Sequence, residues 1–138
     1  MIIQKKLKLS TKGFNDMVDI TPMLSSYVEE TGLQNGHVLI FVIGSTGGLT
    51  TIEYEPGLIR DLPEMLEKIA PMHVRYHHDN TWHDGNGYAH LRAALIGPSL
   101  TIPFQDGKMQ LGTWQQVILL DFDNRPRERK LHIQIYGE

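Results

Sequence analysis

The sequence predicts a single α+β domain with largely antiparallel β-sheets and three helices, and three observations lead to that prediction. The 138 residues are the usual length of one domain. Segments with the alternating polar and apolar pattern of strands cluster near both ends of the chain, and segments with helical spacing lie between them. No repeat or linker divides the chain. Clustered strands with intervening helices favour α+β architecture over a parallel α/β sheet.

The predicted element order is β-α-β-β-α-α-β-β-β. The first helix is predicted to begin with Thr21 as its N-cap and Pro22 in its first turn, and to end at Gly32. Alternating or continuously apolar segments predict the strands. The predicted strands are Ile2–Ser10, His37–Ile43, Thr50–Tyr54, Leu100–Phe104, Gln115–Asp121 and Arg129–Tyr136.

Two further helices are predicted in the middle of the chain. Apolar residues from Leu58 to Ile69 have helical spacing, interrupted by Pro63. Asn86–Ile96 is the third predicted helix, because the following Gly-Pro pair is a typical helix stop. Between these two helices, residues 73–87 are polar and are predicted to form a loop.

Composition excludes several classes of protein. The chain has no cysteine, which removes disulfides, zinc–thiolate sites and a cysteine nucleophile. A net charge of −3 argues against a nucleic-acid-binding protein. The longest apolar run is too short to span a bilayer, and the first residues lack the features of a signal peptide. We therefore expect a cytoplasmic protein without nucleic-acid or membrane partners.

The segment Arg75–His90 carries the highest density of chemically reactive side chains. It holds four of the seven histidines. These are His77, His78, His83 and His90, accompanied by Asp79 and Asp84. Without thiols, imidazoles and carboxylates are the side chains that bind zinc, manganese, magnesium or iron. On the predicted helix, Asn86 and His90 are one turn apart. A metal site and a solvated polar loop are both consistent with this spacing.

Two other segments predict binding of an anion. Ser45 and Thr46 lie in the glycine-rich run 44–51, where backbone N–H groups and hydroxyls can approach a phosphate closely, although a tight turn is the commoner reason for such a run. Arg125, Arg127 and Arg129 lie in a predicted hairpin, and guanidinium groups match phosphate geometry. A charged, solvent-exposed hairpin tip is the commoner explanation for such arginines.

The motifs resemble those of the YjbQ family, whose members are often described as secondary thiamine-phosphate synthases. The resemblance runs almost from end to end. It is strongest in YHHD (76–79), NGYAHLRAALIGPSLTIP (86–103), LGTWQ (111–115), RPRERK (125–130) and the final GE. The resemblance implies an α+β fold, a homotrimer, and a site formed by His78, Asp79, His90 and Glu53. It also implies a weak ability to join a pyrimidine diphosphate to a thiazole phosphate with release of pyrophosphate.

The chain departs from the family pattern at one position. Many members have His-Thr-Ser/Thr where this chain has Gly44-Ser45-Thr46, so a histidine is missing. We hypothesise that His83 takes over the vacant ligand position.

The resulting prediction is a metal-assisted enzyme that acts on a small phosphorylated substrate; the alternative is a non-catalytic module that binds a metal or a metabolite. A divalent metal ion would neutralise phosphate charge. The expected roles are proton transfer by Glu53 or Asp79, substrate binding by Ser45, Thr46, Asn86 and Arg127, and metal binding by His78, His83 and His90.

Overall fold

Two antiparallel sheets form the frame of the computed structural model, which describes residues 1–138. The strands are β1 (Ile2–Thr11), β2 (Asp16–Asp19), β3 (Asn35–Ile43), β4 (Gly47–Ile52), β5 (Ser99–Gln105), β6 (Lys108–Met109), β7 (Gln116–Asp121) and β8 (Arg127–Gly137). The larger sheet has the order β1-β8-β3-β5-β6, and the smaller has the order β2-β7-β4. All pairs are antiparallel, which confirms the predicted fold class.

The four helices are α1 (Thr21–Thr31), α2 (Pro56–Ile69), α3 (His77–Trp82) and α4 (Gly87–Ile96). Three of them match the predicted helices. The short helix α3 lies within the predicted loop 73–87, and its six residues are too few for a periodic pattern to reveal it. Pro63 lies inside α2, which continues through it. None of the helices combines the length and the apolar character that crossing a bilayer requires.

The predicted N-cap of α1 is one residue too late. Ile20 occupies the cap position, and Thr21 is the first helical residue. The Thr21 hydroxyl does not cap the helix, because it accepts a hydrogen bond from the backbone N–H of Val117 at 2.7 Å. This contact joins the start of α1 to β7. The predicted stop at Gly32 is confirmed, since Gly32 has a left-handed conformation with φ of 71°.

The smaller sheet is buried on both faces. In β7, Val117 and Leu119 pack into a core of 15 buried residues shared with the larger sheet and α1. Ile118 and Leu120, on the opposite face of the strand, pack into a second core of 8 buried residues shared with α2 and α4. The domain is therefore layered as sheet, sheet and helices, and the double burial explains the unbroken apolar run of β7.

The glycine-rich run is partly a strand. The prediction placed the second central strand at Thr50–Tyr54, but β4 begins at Gly47 and ends at Ile52. Gly48 lies so close to α4 that an added Cβ would be 3.0 Å from the Ile96 side chain. The absence of a side chain thus lets the helix pack directly on the strand. Because β4 begins at Gly47, Ser45 and Thr46 lie in the turn directly before this strand.

Candidate functional site

A polar cleft of about 450 Å³ lies where β3 ends, β4 begins and β8 starts. Residues from three separate stretches of the chain line it. They are Ile43, Gly44, Ser45, Thr46, His78, Trp82, Asp84, Asn86, His90, Arg127, Glu128 and Arg129. Because only Ile43 and Trp82 among these are hydrophobic, the cleft suits a charged or strongly polar ligand.

The floor of the cleft rests on a buried ion pair. Asp121, the last residue of β7, is fully buried. Arg129 of β8 donates two hydrogen bonds to its carboxylate, at 2.9 Å and 2.7 Å. The Thr11 hydroxyl also donates to this carboxylate. A bidentate pair of this kind fixes both the position and the orientation of the guanidinium plane.

A second buried carboxylate, Asp123, gathers three side chains that line the cleft. It accepts hydrogen bonds from Arg127 Nε at 2.8 Å, from the Thr46 hydroxyl at 3.0 Å and from the Asn86 amide at 3.2 Å. Burial alone would raise the pKa of the Asp123 carboxyl, but the hydrogen bonds from the Asn124 backbone, Arg127, Asn86 and Thr46 outweigh it and bring this pKa to about 2. Asp123 is therefore ionised at neutral pH.

The buried carboxylates fix the two arginines but do not occupy all of the N–H donors of Arg127. Arg127 contacts Asp123 through Nε and Nη2, two of the guanidinium nitrogens, and its side chain is 34% exposed. Arg129 Nη2 also donates to the Thr46 hydroxyl at 2.7 Å. A guanidinium group carries five N–H donors, so Arg127 retains donors for an anion in the cleft.

The backbone at residue 44, where the family histidine is missing, suits glycine in this structure. Gly44 has φ of 141°, a conformation that side chains rarely adopt, and an added Cβ would lie 2.9 Å from Arg129 Nη1. A histidine here would have to displace the buried guanidinium.

A chain of polar contacts links the buried carboxylate to two histidines. The Asn86 amide group donates to Asp123, so its oxygen faces His78 Nε2, at 3.1 Å. His78 therefore carries its proton on Nε2. Asp84 Oδ1 lies 3.4 Å from the same nitrogen. The His78 and His90 rings are 4.3 Å apart between centroids.

The surroundings of His90 disfavour its charged form. Burial lowers the pKa of the His90 imidazole, and the neighbouring His78 lowers it further, while Asp84 and Asp123 oppose the shift. The net pKa lies below the ordinary value of 6.5. His90 is therefore neutral at pH 7 and can accept a proton.

The structure brings together six of the nine predicted site residues. Ser45, Thr46, His78, Asn86, His90 and Arg127 all line the cleft. It separates the other three from them. Glu53 is exposed just beyond the far end of β4, six residues from Gly47, which is roughly 20 Å along an extended strand.

Asp79 and His83 face a different cleft. Asp79 accepts a hydrogen bond from the Tyr76 backbone at 3.1 Å and so caps α3. His83 follows the end of α3 in a left-handed conformation with φ of 57°. Both line a second cleft of about 440 Å³. His83 is thus placed away from the position next to Gly44 that we hypothesised for it.

The donor types in the first cleft suit a divalent metal, but their arrangement does not hold one. No three His, Asp or Glu side chains lie close enough together to bind a metal ion. His78 Nε2, the nitrogen nearest to Asp84, is occupied as a donor to Asn86. Two imidazoles and one carboxylate would bind a metal only after His78 turned away from Asn86.

Sequence reasoning missed Asp121, Asp123 and Trp82. One signal could have found the two carboxylates: Asp121 and Asp123 are two residues apart, as are Arg127 and Arg129, on either side of one predicted hairpin turn. The predicted hairpin is wrong, because β7 and β8 lie in different sheets and do not pair. The matched spacing of the two acidic and two basic residues still marks side chains that can meet where the chain passes between the sheets. No comparable signal identified Trp82.

Fold and site together define an α+β protein with a polar, arginine- and histidine-lined cleft. The model of the family described as "UPF0047 protein YjbQ-like" matches residues 5–138. A UPF0047 protein of Archaeoglobus fulgidus is 37% identical over 94% of this chain and 98% of its own length. One of Methanothermobacter thermautotrophicus is 35% identical over 99% of this chain and 94% of its own length. The chain belongs to the YjbQ-like UPF0047 family.

Solved structures agree with this assignment. A YbjQ-like protein of unknown function from Sulfolobus solfataricus superposes with a TM-score of 0.93 at 32% identity, covering 100% of this chain and 99% of its own. A YjbQ/UPF0047 protein from Clostridium acetobutylicum gives a TM-score of 0.87 at 33% identity, covering 96% and 99%. The predicted family is confirmed.

Proposed function

We propose that the first cleft binds a small phosphorylated molecule and catalyses a proton-transfer-assisted reaction at or near its phosphate. The observation that carries this proposal is the pair of arginines that buried Asp121 and Asp123 hold at the wall of the cleft. A guanidinium anchored from behind binds an anion with little further loss of side-chain freedom, and Arg matches the geometry of phosphate oxygens.

The phosphate lies against Arg127, with Ser45 and Thr46 beside it. Ser45 is exposed in the turn before β4, so its hydroxyl and backbone N–H are accessible to a ligand. The Thr46 hydroxyl donates to Asp123 and accepts from Arg129. Thr46 therefore acts mainly by fixing the arginines, while Ser45 and Arg127 contact the ligand.

The two histidines supply acid–base chemistry. Neutral His90 accepts a proton from the attacking group, and protonated Nε2 of His78 is kept in its tautomer by Asn86. The chemistry fits a transferase that resembles thiamine-phosphate synthase, and it fits phosphoester hydrolysis equally. Both reactions need a held phosphate and a stabilised leaving group. Only hydrolysis also needs His90 as a base, because an attacking thiazole nitrogen carries no proton to lose. Glu53 and Asp79 lie outside the cleft, so we assign neither of them a role in proton transfer within one chain.

A second candidate keeps the divalent metal of the original prediction. The observation that favours it is the presence of His78, His90 and Asp84 on one wall of the cleft. When bound, a zinc, manganese or magnesium ion would supply a Lewis acid for phosphate charge. Elemental analysis of untagged protein reloaded with each ion tests this candidate: about one metal per chain that is lost in His90→Ala supports it, and no stoichiometric metal removes it.

We also propose a homotrimer in the cytoplasm, as the family resemblance implies. The outer face of the larger sheet supports self-association, because its central strand β3 exposes Phe41 and Ile43, at 43% and 51%. Tyr136 on the neighbouring β8 is 51% exposed. Tyr136 pairs with His37, so the three residues share one face of the sheet without forming one continuous cluster. Large exposed apolar residues on one sheet face are typical of a surface that another chain covers. Sedimentation equilibrium of the full chain tests the trimer.

Turnover of phosphomonoesters and diphosphates, followed by phosphorus NMR, tests the enzyme itself. The wild type and His73→Gln, whose side chain is exposed in the second cleft, should convert the same compounds at the same rate. His90→Gln should lose on the order of a hundredfold or more in rate, the usual size of general-base catalysis. Binding without turnover in all three proteins would instead favour the non-catalytic binding module.

A further inference from the structure

One large apolar side chain lies against the polar first cleft without being covered. Trp82, the last residue of α3, lines this cleft and is 71% exposed. Apart from Ile43, every other lining residue is polar, charged or glycine. An indole ring can bury up to about 250 Å² of surface. A ligand that covers this exposed ring would therefore gain a large favourable contribution to its binding free energy.

Two hydrogen bonds made by the residues directly after Trp82 fix the backbone that carries it. On its C-terminal side, the backbone N–H of His83 donates to the Asp79 carbonyl at 3.0 Å and ends α3. The Asp84 carbonyl then accepts a hydrogen bond from the Asn124 amide at 2.8 Å, which joins this loop to the turn between β7 and β8. The same turn carries Asp123. The backbone next to Trp82 is therefore tied to the turn that positions Arg127.

From this placement we infer that Trp82 selects ligands with a planar aromatic ring by stacking on it. The inference deepens the proposed function, on which it rests: Arg127 holds the phosphate, and Trp82 covers the ring to which the phosphate is linked. The ligand class is then a phosphorylated aromatic compound, not an aliphatic phosphate. Stacking on an exposed aromatic side chain needs no specific hydrogen bonds, so it discriminates planar from puckered rings.

The test compares phenyl phosphate with cyclohexyl phosphate, which has a saturated, puckered ring of nearly the same size. Inorganic phosphate reports the anion contact alone. The chain has two tryptophans, and Trp114 is also 71% exposed but does not line the cleft. Trp114→Phe therefore leaves Trp82 as the sole indole reporter, and Trp82→Phe leaves only Trp114.

In Trp114→Phe, phenyl phosphate should quench the indole fluorescence and bind about tenfold more tightly than cyclohexyl phosphate, the gain expected of one stacked ring. In Trp82→Phe, the remaining fluorescence should not respond. Calorimetry on Trp82→Ala should show that the tenfold preference is lost while affinity for inorganic phosphate stays within about twofold of the wild type.

Four results would overturn the inference. Equal binding of the two esters to the wild type, or a preference that persists in Trp82→Ala, would remove the stacking role while leaving anion binding intact. A change of oligomeric state in Trp82→Ala would make the indole an interface residue. If none of the three compounds binds to the wild type, the proposed function fails together with the inference, an outcome that differs from the first two.

Discussion

The segment 73–90 takes part in two clefts of nearly equal size, and they are assembled in different ways. The second cleft is lined entirely by residues 72–85, so one short stretch of chain forms all of it. The first cleft combines His78 and His90 with residues near 44 and near 128, which reach it from separate strands. Both clefts contain histidine and aspartate. Only the first has buried carboxylates behind its wall.

This difference shows that local density of histidines does not locate the site. Asp79 and His83 are close to His78 in sequence. The short helix α3 nevertheless directs both of them to the second cleft. What distinguishes the first cleft is the fully buried pair Asp121 and Asp123, which orients cationic side chains at considerable cost in desolvation. The predictions below test that distinction.

The largest expected effect is on stability. Asp121→Ala removes the carboxylate that pairs with buried Arg129, so the free energy of unfolding should fall by about 3–5 kcal/mol. Asp79→Ala, the matched change in the second cleft, removes only a helix cap and should cost about 1 kcal/mol or less. Urea unfolding followed by circular dichroism measures both. Equal losses would contradict the comparison.

The next effect is the loss of stability in acid. The pKa of Asp123 is about 2, below its ordinary value of 3.8. A lowered carboxyl pKa stabilises the fold fully above the ordinary pKa, and the contribution is lost as the pH falls towards 2. The wild type should therefore lose about 2 kcal/mol between pH 5 and pH 2 through this group.

The matched variant for this prediction is Asp123→Asn, which has no carboxyl to titrate. It should be less stable than the wild type at pH 5, and the difference between the two proteins should shrink as the pH approaches 2. Urea unfolding at several pH values measures the difference. A difference that is constant with pH would show that Asp123 does not titrate in this range.

A smaller effect concerns the histidine pair. The pKa of His90 is lowered first by burial and then by His78. His78→Ala should therefore raise the pKa of His90 towards its ordinary value, whereas His73→Ala in the second cleft should leave it unchanged. Histidine NMR titration measures this pKa directly, and an unchanged value in His78→Ala would contradict the contact. Because a lowered imidazole pKa favours the neutral form in the fold, stability from this group is lost as the pH falls below about 6.5.

The smallest expected effect is at Tyr88 of α4, whose side chain lies in the second core. Its hydroxyl is buried without a hydrogen-bond partner, and burial raises its pKa. Tyr88→Phe removes a buried unsatisfied polar group and keeps the ring, so the free energy of unfolding should stay within about 1 kcal/mol of the wild type or rise slightly. A clear loss of stability in urea unfolding would reveal a partner for this hydroxyl.

Much of the fold could be predicted because its long elements have strong periodicity. The alternation in Ile2–Ser10 and the helical spacing after Asn86 each identified an element close to its final bounds. The strands β2 and β6 were missed because four and two residues carry too little pattern. The helix α3 was missed for the same reason, and that error placed Asp79 and His83 in the wrong cleft.

The site was only partly predictable, since its framework depends on contacts between distant residues. Thr46 and Asp123 are 77 residues apart in sequence but 3.0 Å apart in the structure. Asp123 resembled an ordinary turn residue before Asn-Arg-Pro, and only its burial reveals that it orders the cleft. Glu53 lies outside the first cleft, since β4 begins three residues earlier than its pattern indicated and Glu53 follows the far end of the strand.

The most direct test of the central claim is calorimetric titration of inorganic phosphate into the wild type, Arg127→Gln and Arg75→Gln. Arg127 lines the first cleft, and Arg75 lines the second. Phosphate should bind the wild type and Arg75→Gln alike, and binding to Arg127→Gln should weaken about 10- to 100-fold, the loss expected for a charge-assisted hydrogen bond. Equal affinity in Arg127→Gln, or a loss confined to Arg75→Gln, would contradict the assignment of the first cleft as the phosphate site.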